Sequence, residues 1–126
     1  MARKSARTLR IESELQRVVA ELIRREVHDP RVGTVTITAV SAAPDMSVVR
    51  VLFVPFGTAH APAEVAQGLN HAAGFLRGEV GRRLGLRHAP KLEFEFDASI
   101  EQADRLTSLI DAAVRHDAAT HRDDDA

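Results

Sequence analysis

Between Val65 and Leu84 the apolar residues Val65, Leu69, Ala73, Leu76, Val80 and Leu84 recur at helical spacing, and a glycine, Gly74, sits inside the stripe. The spacing predicts one long amphipathic helix. Glycine costs a helix interior roughly 0.5–1 kcal/mol relative to alanine, so Gly74 predicts two helices meeting at a kink. The small neighbours Ala72 and Ala73 would let another backbone come close. The first turn of the second helix would then offer N–H groups, a setting that suits a phosphate. The plainer alternative is a glycine tolerated within the helix or used for close packing.

The rest of the chain arranges itself around that segment. Residues 6–27 place Ile11, Leu15, Val18, Val19, Leu22, Ile23 and Val27 on one face of a helix, with Ser5 in position to cap it. Asp29-Pro30-Arg31-Val32-Gly33 ends that helix. Thr34–Val40 alternates as a half-buried strand, and Val48–Val54 is apolar enough to be the central strand. The short connection through Pro44 favours antiparallel pairing of the two. Pro62 suits the first turn of the next helix, and Ala89-Pro90 returns the chain to an extended course. Lys91–Asp97 alternates strictly, which predicts an antiparallel or edge strand whose wet face carries Glu93, Glu95 and Asp97. Ser99 and Gln102 form a capping box for a last helix to about Arg115. The expected division is one domain over residues 1–115 and a disordered acidic tail over 116–126.

The 126 residues carry a net charge of −1, and that near-neutral total conceals strong segregation. Residues 1–31 sum to +3, 32–71 to −1, 72–91 to +4 and 92–126 to −7. A basic body with an acidic end points to a polyanionic partner. The cations in question are Arg3, Lys4, Arg7 and Arg10 at the start, and Arg77, Arg82, Arg83, Arg87 and Lys91 after the glycine. Arginine's planar fork matches two phosphate oxygens at once. With no Trp or Tyr and only five Phe, readout of shape and backbone is expected over base stacking. A solvated helix surface is the plain explanation for the mixed charges of the first helix.

Catalytic and metal chemistry find no footing. There is no cysteine, and the six histidines form neither an HxxxH nor an HExxH pair. No nucleophile elbow, P-loop or dinucleotide fingerprint is present. Carboxylates on an exposed strand face lack the pocket that makes an acid and a base. No enzyme, cofactor or metal is expected. No apolar run suits a signal peptide or membrane span, so a cytoplasmic protein is expected.

The order helix, strand, strand, helix–kink–helix, strand, helix resembles a type II KH domain, an α+β fold in which kinked helices pack on a three-stranded sheet. Asp29-Pro30-Arg31, Ala72-Ala73-Gly74-Phe75-Leu76-Arg77 and the stretch from Leu86 to Ser99 together resemble bacterial ribosome-binding factor A, over about residues 5–112. In that family an Ala-x-Gly kink replaces the GxxG loop of other KH domains, and Ala72, Ala73 and Gly74 fit it. The resemblance implies a monomeric, non-catalytic assembly factor for the small (30S) ribosomal subunit. It would act on 16S rRNA in late maturation, with a role in cold adaptation and assembly GTPases as candidate partners. The family's RNA-contacting basic surface would map onto the nine cations named above. A protein-interaction module without RNA contact, its charges serving solubility, is the alternative from a different class.

Overall fold

Ser5 opens the first helix by accepting the Thr8 N–H at 3.1 Å, and that cap starts α1, Ala6–Glu26. A computed structural model describes residues 4–124, with side chains described to His116. After α1 follow β1 (Thr34–Ala42), β2 (Val48–Phe56), α2 (Pro62–His71), α3 (Ala73–Leu84), β3 (Lys91–Phe96) and α4 (Ser99–Asp124). The chain divides into two units, residues 1–96 and 97–126.

In the first unit the strands lie in the order β1-β2-β3. β1 and β2 pair antiparallel, from Thr34 opposite Phe56 to Ala42 opposite Val49, with an irregularity between Ile37 and Ala39. β3 pairs with β2 in parallel, Val51 opposite Phe94. The strict alternation of Lys91–Asp97 therefore marks an edge strand, and its expected antiparallel option does not occur. Two helices intervene between β2 and β3, a connection long enough for the crossover that parallel pairing requires.

The pleat explains the core. On β2, Val49, Val51 and Phe53 are wholly buried while Arg50 between them is exposed, as a two-residue period requires. Leu15, Val19 and Leu22 of α1, Val65 and Leu69 of α2, and Leu76 and Val80 of α3 close over that face with no exposed surface. Each such side chain contributes roughly 1.5–3 kcal/mol by leaving water. Phe53 meets Phe96 edge-on, with ring centroids 6.3 Å apart. The stripe that predicted a long helix thus becomes the inner face of two helices on one sheet.

α3 ends at Gly85, which adopts φ +61°. The Leu86 N–H reaches the Gly81 carbonyl at 3.0 Å and the Gly85 N–H the Arg82 carbonyl at 3.4 Å, the paired bonds of a Schellman cap. Gly81 also matters for packing, because a Cβ there would stand 3.0 Å from the Cβ of Ala89.

In the second unit, the Ser99 N–H donates to Asp97 Oδ1 at 2.9 Å, and the Gln102 N–H to the Ala98 carbonyl at 2.9 Å. The helix therefore starts one residue before the expected Ser99 cap, with Asp97 supplying the side-chain acceptor. α4 continues past Arg115 to Asp124, so helical backbone covers most of the stretch expected to be a tail. That stretch contains Ala118 and Ala119 and neither Gly nor Pro, a composition that lets a helix propagate. Asp125 and Ala126 lie outside the described residues.

Candidate nucleic-acid interface

The joint between α2 and α3 is Ala72, at φ −85° and ψ −4°. Its N–H is shared between the carbonyls of Gly68 (3.3 Å) and Leu69 (3.1 Å), and its carbonyl accepts the Leu76 N–H at 3.0 Å. The kink motif Ala72-Ala73-Gly74 is present, with the break two residues ahead of the glycine. The close backbone approach expected at Gly74 is absent: a Cβ built there would meet nothing within 4 Å. Close packing falls instead at Gly68, against side chains rather than backbone, at what looks in sequence like an ordinary helical position. A Cβ on Gly68 would stand 2.9 Å from Val32 Cγ2 and 3.3 Å from Asp29 Cγ. Gly74 is instead an exposed step in the first turn of α3, and beside it Phe75 is 52% exposed.

The turn that fills the space against Gly68 is held rigidly. Arg31 lays its guanidinium along the Asp29 carboxylate, Nε to Oδ1 at 3.1 Å and Nη2 to Oδ2 at 2.7 Å, and the Arg31 backbone N–H adds a bond of 2.9 Å. The side-chain bonds from Arg31 hold the Asp29 carboxyl at about 2, since they favour the ionised form. The Asp-Pro-Arg motif is thus a closed, internally neutral turn.

Between the joint and the outer edge of β3 runs a groove of about 590 Å³, lined by Asn70, Ala73, Gly74, Arg77, Lys91 and Phe94 among others. Asn70 spans its floor: its Nδ2 donates to the Phe94 carbonyl at 3.1 Å and its Oδ1 accepts the Phe94 N–H at 2.9 Å. One side-chain amide thereby satisfies both backbone groups of an edge residue. Arg77 anchors through Nε to the Ala89 carbonyl at 2.9 Å, which leaves its terminal nitrogens for a ligand. Lys91 lies 3.8 Å from Glu93, a loose pairing. The Glu93 and Glu95 face is wet as expected, and Glu95 is bound by Arg50 across the sheet, which lowers the Glu95 carboxyl pKa through that hydrogen bond.

The structure sorts the nine sequence-derived cations. Arg77 and Lys91 share the groove. Arg7 lines a second hollow of about 360 Å³ with His88, Ile11, Met46 and Leu86, so the start of α1 meets the loop after α3. Arg10 and Arg87 are exposed. Three others are engaged by the protein itself. Lys4 Nζ lies 2.5 Å from Glu12 and 3.1 Å from Ser41 Oγ; Arg82 bonds to Glu79; Arg83 reaches Glu21 of α1 at 3.4 Å. Arg3 lies outside the described residues. Glu12 is a residue that sequence reasoning missed. It is 7% exposed and also accepts the Ala42 N–H at 2.7 Å, so it ties Lys4 to the end of β1. A carboxylate at a position flanking the apolar face of α1 is the only sign of it in the sequence. Among the described residues no cluster of His, Asp and Glu is placed to hold a metal, and no helix is long and apolar enough to cross a membrane.

Comparison with known proteins bears on the family and the fold. Residues 7–110 match the family described as ribosome-binding factor A. Ribosome-binding factor A of Azoarcus sp. (strain BH72) is 45% identical over 125 residues, 99% of each chain. The crystal structure of ribosome-binding factor A from Thermus thermophilus superposes with a TM-score of 0.63 at 31% identity, covering 70% of this chain and 93% of that one. A homology model of the Thermus thermophilus factor fitted into the cryo-electron microscopy map of a 30S complex gives 0.60 at 30% identity, covering 71% and 93%.

Proposed function

The chain belongs to the ribosome-binding factor A family, and we propose that it binds the small ribosomal subunit through 16S rRNA backbone in the groove between the α2–α3 joint and β3. It acts there as a non-catalytic cytoplasmic factor in late subunit maturation, a step on which growth in the cold depends. The observation that carries this reading is the pairing of Arg77 and Lys91 across a groove whose rim at Gly74 is open. An unobstructed glycine lets a phosphate chain come near the backbone, and the two cations would meet it from α3 and β3. Arg7, Arg10 and Arg87 extend the positive surface. Arg82 and Arg83 contribute less, because Glu79 and Glu21 already neutralise them.

The test is co-sedimentation with purified small subunits across a salt series. Affinity should fall by roughly 0.7–0.9 log units per log unit of salt for each phosphate contacted. Arg77→Glu/Lys91→Glu should abolish binding, and Arg82→Glu/Arg83→Glu should weaken it far less. Binding indifferent to salt and to the first pair would transfer the interface to protein contacts. No binding to mature or precursor subunits would overturn the proposal.

A further inference from the structure

The two edges of the sheet are not equally closed. On β3, Asn70 occupies both the N–H and the C=O of Phe94. On β1, the corresponding amide from α1, Gln16, meets the carbonyl of Ile37, to which its Nε2 donates at 3.1 Å. That contact stands at the irregularity where the β1 ladder shifts, between Ile37 and Ala39. Ahead of it, along Gly33–Ile37, a groove of about 630 Å³ runs beside the strand, with α1 as its far wall. Among the described residues β1 has a neighbour strand on one side only, so this stretch presents strand backbone to whatever enters the groove.

The α1 wall has a defined charge pattern. Arg17 and Arg24 stand two turns apart with Ala20 between them, and all three line the groove. Among the described residues neither arginine has a carboxylate partner; Glu21 between them is taken by Arg25 at 3.3 Å and Arg83 at 3.4 Å. Seven helical steps place the two Cα atoms about 10.5 Å apart along the axis. Residues i and i+4 of a strand lie about 13 Å apart on one face, a difference that arginine side chains span. Ala20 leaves room for an apolar side chain at i+2.

We infer that the α1–β1 groove takes an extended peptide segment of a partner protein, added as a strand to Gly33–Ile37, with carboxylates at i and i+4 on Arg17 and Arg24 and a small apolar residue at i+2 over Ala20. Strand addition supplies affinity through backbone bonds and specificity through alternate side chains. A nucleic acid fits less well, since strand carbonyls would face its phosphates and Ile23, Val27 and Val35 make the lining largely apolar. The inference does not depend on ribosome binding by the opposite edge, and it is tested without ribosomes.

The probe is a labelled peptide containing Glu-Thr-Val-Thr-Glu, titrated into the full chain and followed by fluorescence anisotropy and backbone amide NMR. Saturable binding with shifts confined to residues 33–37 and the facing turns of α1 is expected. Arg17→Glu/Arg24→Glu, at positions both exposed and absent from the core, should weaken it at least about tenfold, the effect of turning two attractions into repulsions. N-methylation of the edge-facing peptide amides should weaken it similarly while leaving the protein untouched. No saturable binding, shifts elsewhere, or indifference to both changes would overturn the inference. So would a single-stranded RNA of equal charge that displaces the peptide and moves the same amides, which would reassign the groove to nucleic acid.

Discussion

Replacing Gly68 and Gly74 by alanine, one at a time, should move stability in opposite directions. Both glycines lie in helices, so each gains the propensity difference between glycine and alanine, roughly 0.5–1 kcal/mol. Gly74 keeps that gain because its new methyl meets nothing within 4 Å. Being in the first turn of α3, it should realise the lower end, about 0.5 kcal/mol. At Gly68 the methyl lands 2.9 Å from Val32 Cγ2 and 3.3 Å from Asp29 Cγ. Val32 is 1% exposed and β-branched, so it has no spare rotamer to retreat into. Asp29 is fixed by three hydrogen bonds to Arg31. Overpacking of a tight site costs about 1–3 kcal/mol, which meets or exceeds the propensity gain of roughly 0.5–1 kcal/mol and leaves a net loss of up to about 2.5 kcal/mol. Urea denaturation of the full chain at fixed pH measures both differences. Two variants stabilised alike would show that the Asp29–Val32 turn yields freely, and the account of Gly68 as the close-approach position would fail.

Asn70→Ala should cost about 1–2 kcal/mol, since two hydrogen bonds of roughly 1 kcal/mol each are lost from a half-buried strand edge; native-state hydrogen exchange at the Phe94 amide should rise by about an order of magnitude, and an unchanged rate would sink the capping role. Glu12→Ala removes the acceptor of a buried backbone N–H and should cost about 1–3 kcal/mol. Lys4→Ala breaks only a partly exposed pair and should cost under about 1 kcal/mol. A larger loss from Lys4 than from Glu12 would reverse that assignment. Asp29, held at about 2 against an ordinary 3.8, makes a contribution that is fully present above its unfolded pKa and is lost as pH falls through the folded value. The stability difference between wild type and Asp29→Asn should therefore be flat across neutral pH, shrink below about pH 4 and vanish below about pH 2; a carboxyl signal titrating at the ordinary value would refute it.

The periodicities carried the architecture because burial is what they record. Leu15, Val19 and Leu22 on one helical face, and Val49, Val51 and Phe53 on one strand face, are zero-exposure positions, and no other placement keeps them from water. Direction was less legible. The alternation of Lys91–Asp97 reports one wet face and is the same for parallel and antiparallel pairing, and the long connection before it permits either; the register of β3 on β2 settles it. Gly74 misled for a related reason. A helix tolerates glycine either where something presses against it or where nothing does, and only tertiary neighbours distinguish the two.

The cations show why the candidate site was only half legible. Arg77 and Arg83 look alike in sequence, both on the helix after the kink and both among basic neighbours. What separates them is a carboxylate on a different helix: Glu21 of α1 lies against Arg83, while Arg77 is bonded to the Ala89 carbonyl. A neutral carbonyl leaves a full positive charge outward, and a carboxylate cancels it. Surface charge pattern therefore fixes how many arginines a basic face can own, but ligand-ready charge is what remains after internal pairing. The same subtraction draws attention to α1, where Glu21 is claimed on both sides and, among the described residues, Arg17 and Arg24 are left without carboxylates. Net charge per segment scores those residues like any others. Only their pairing makes the basic face of α1, together with the open edge of β1, a surface with something still to bind.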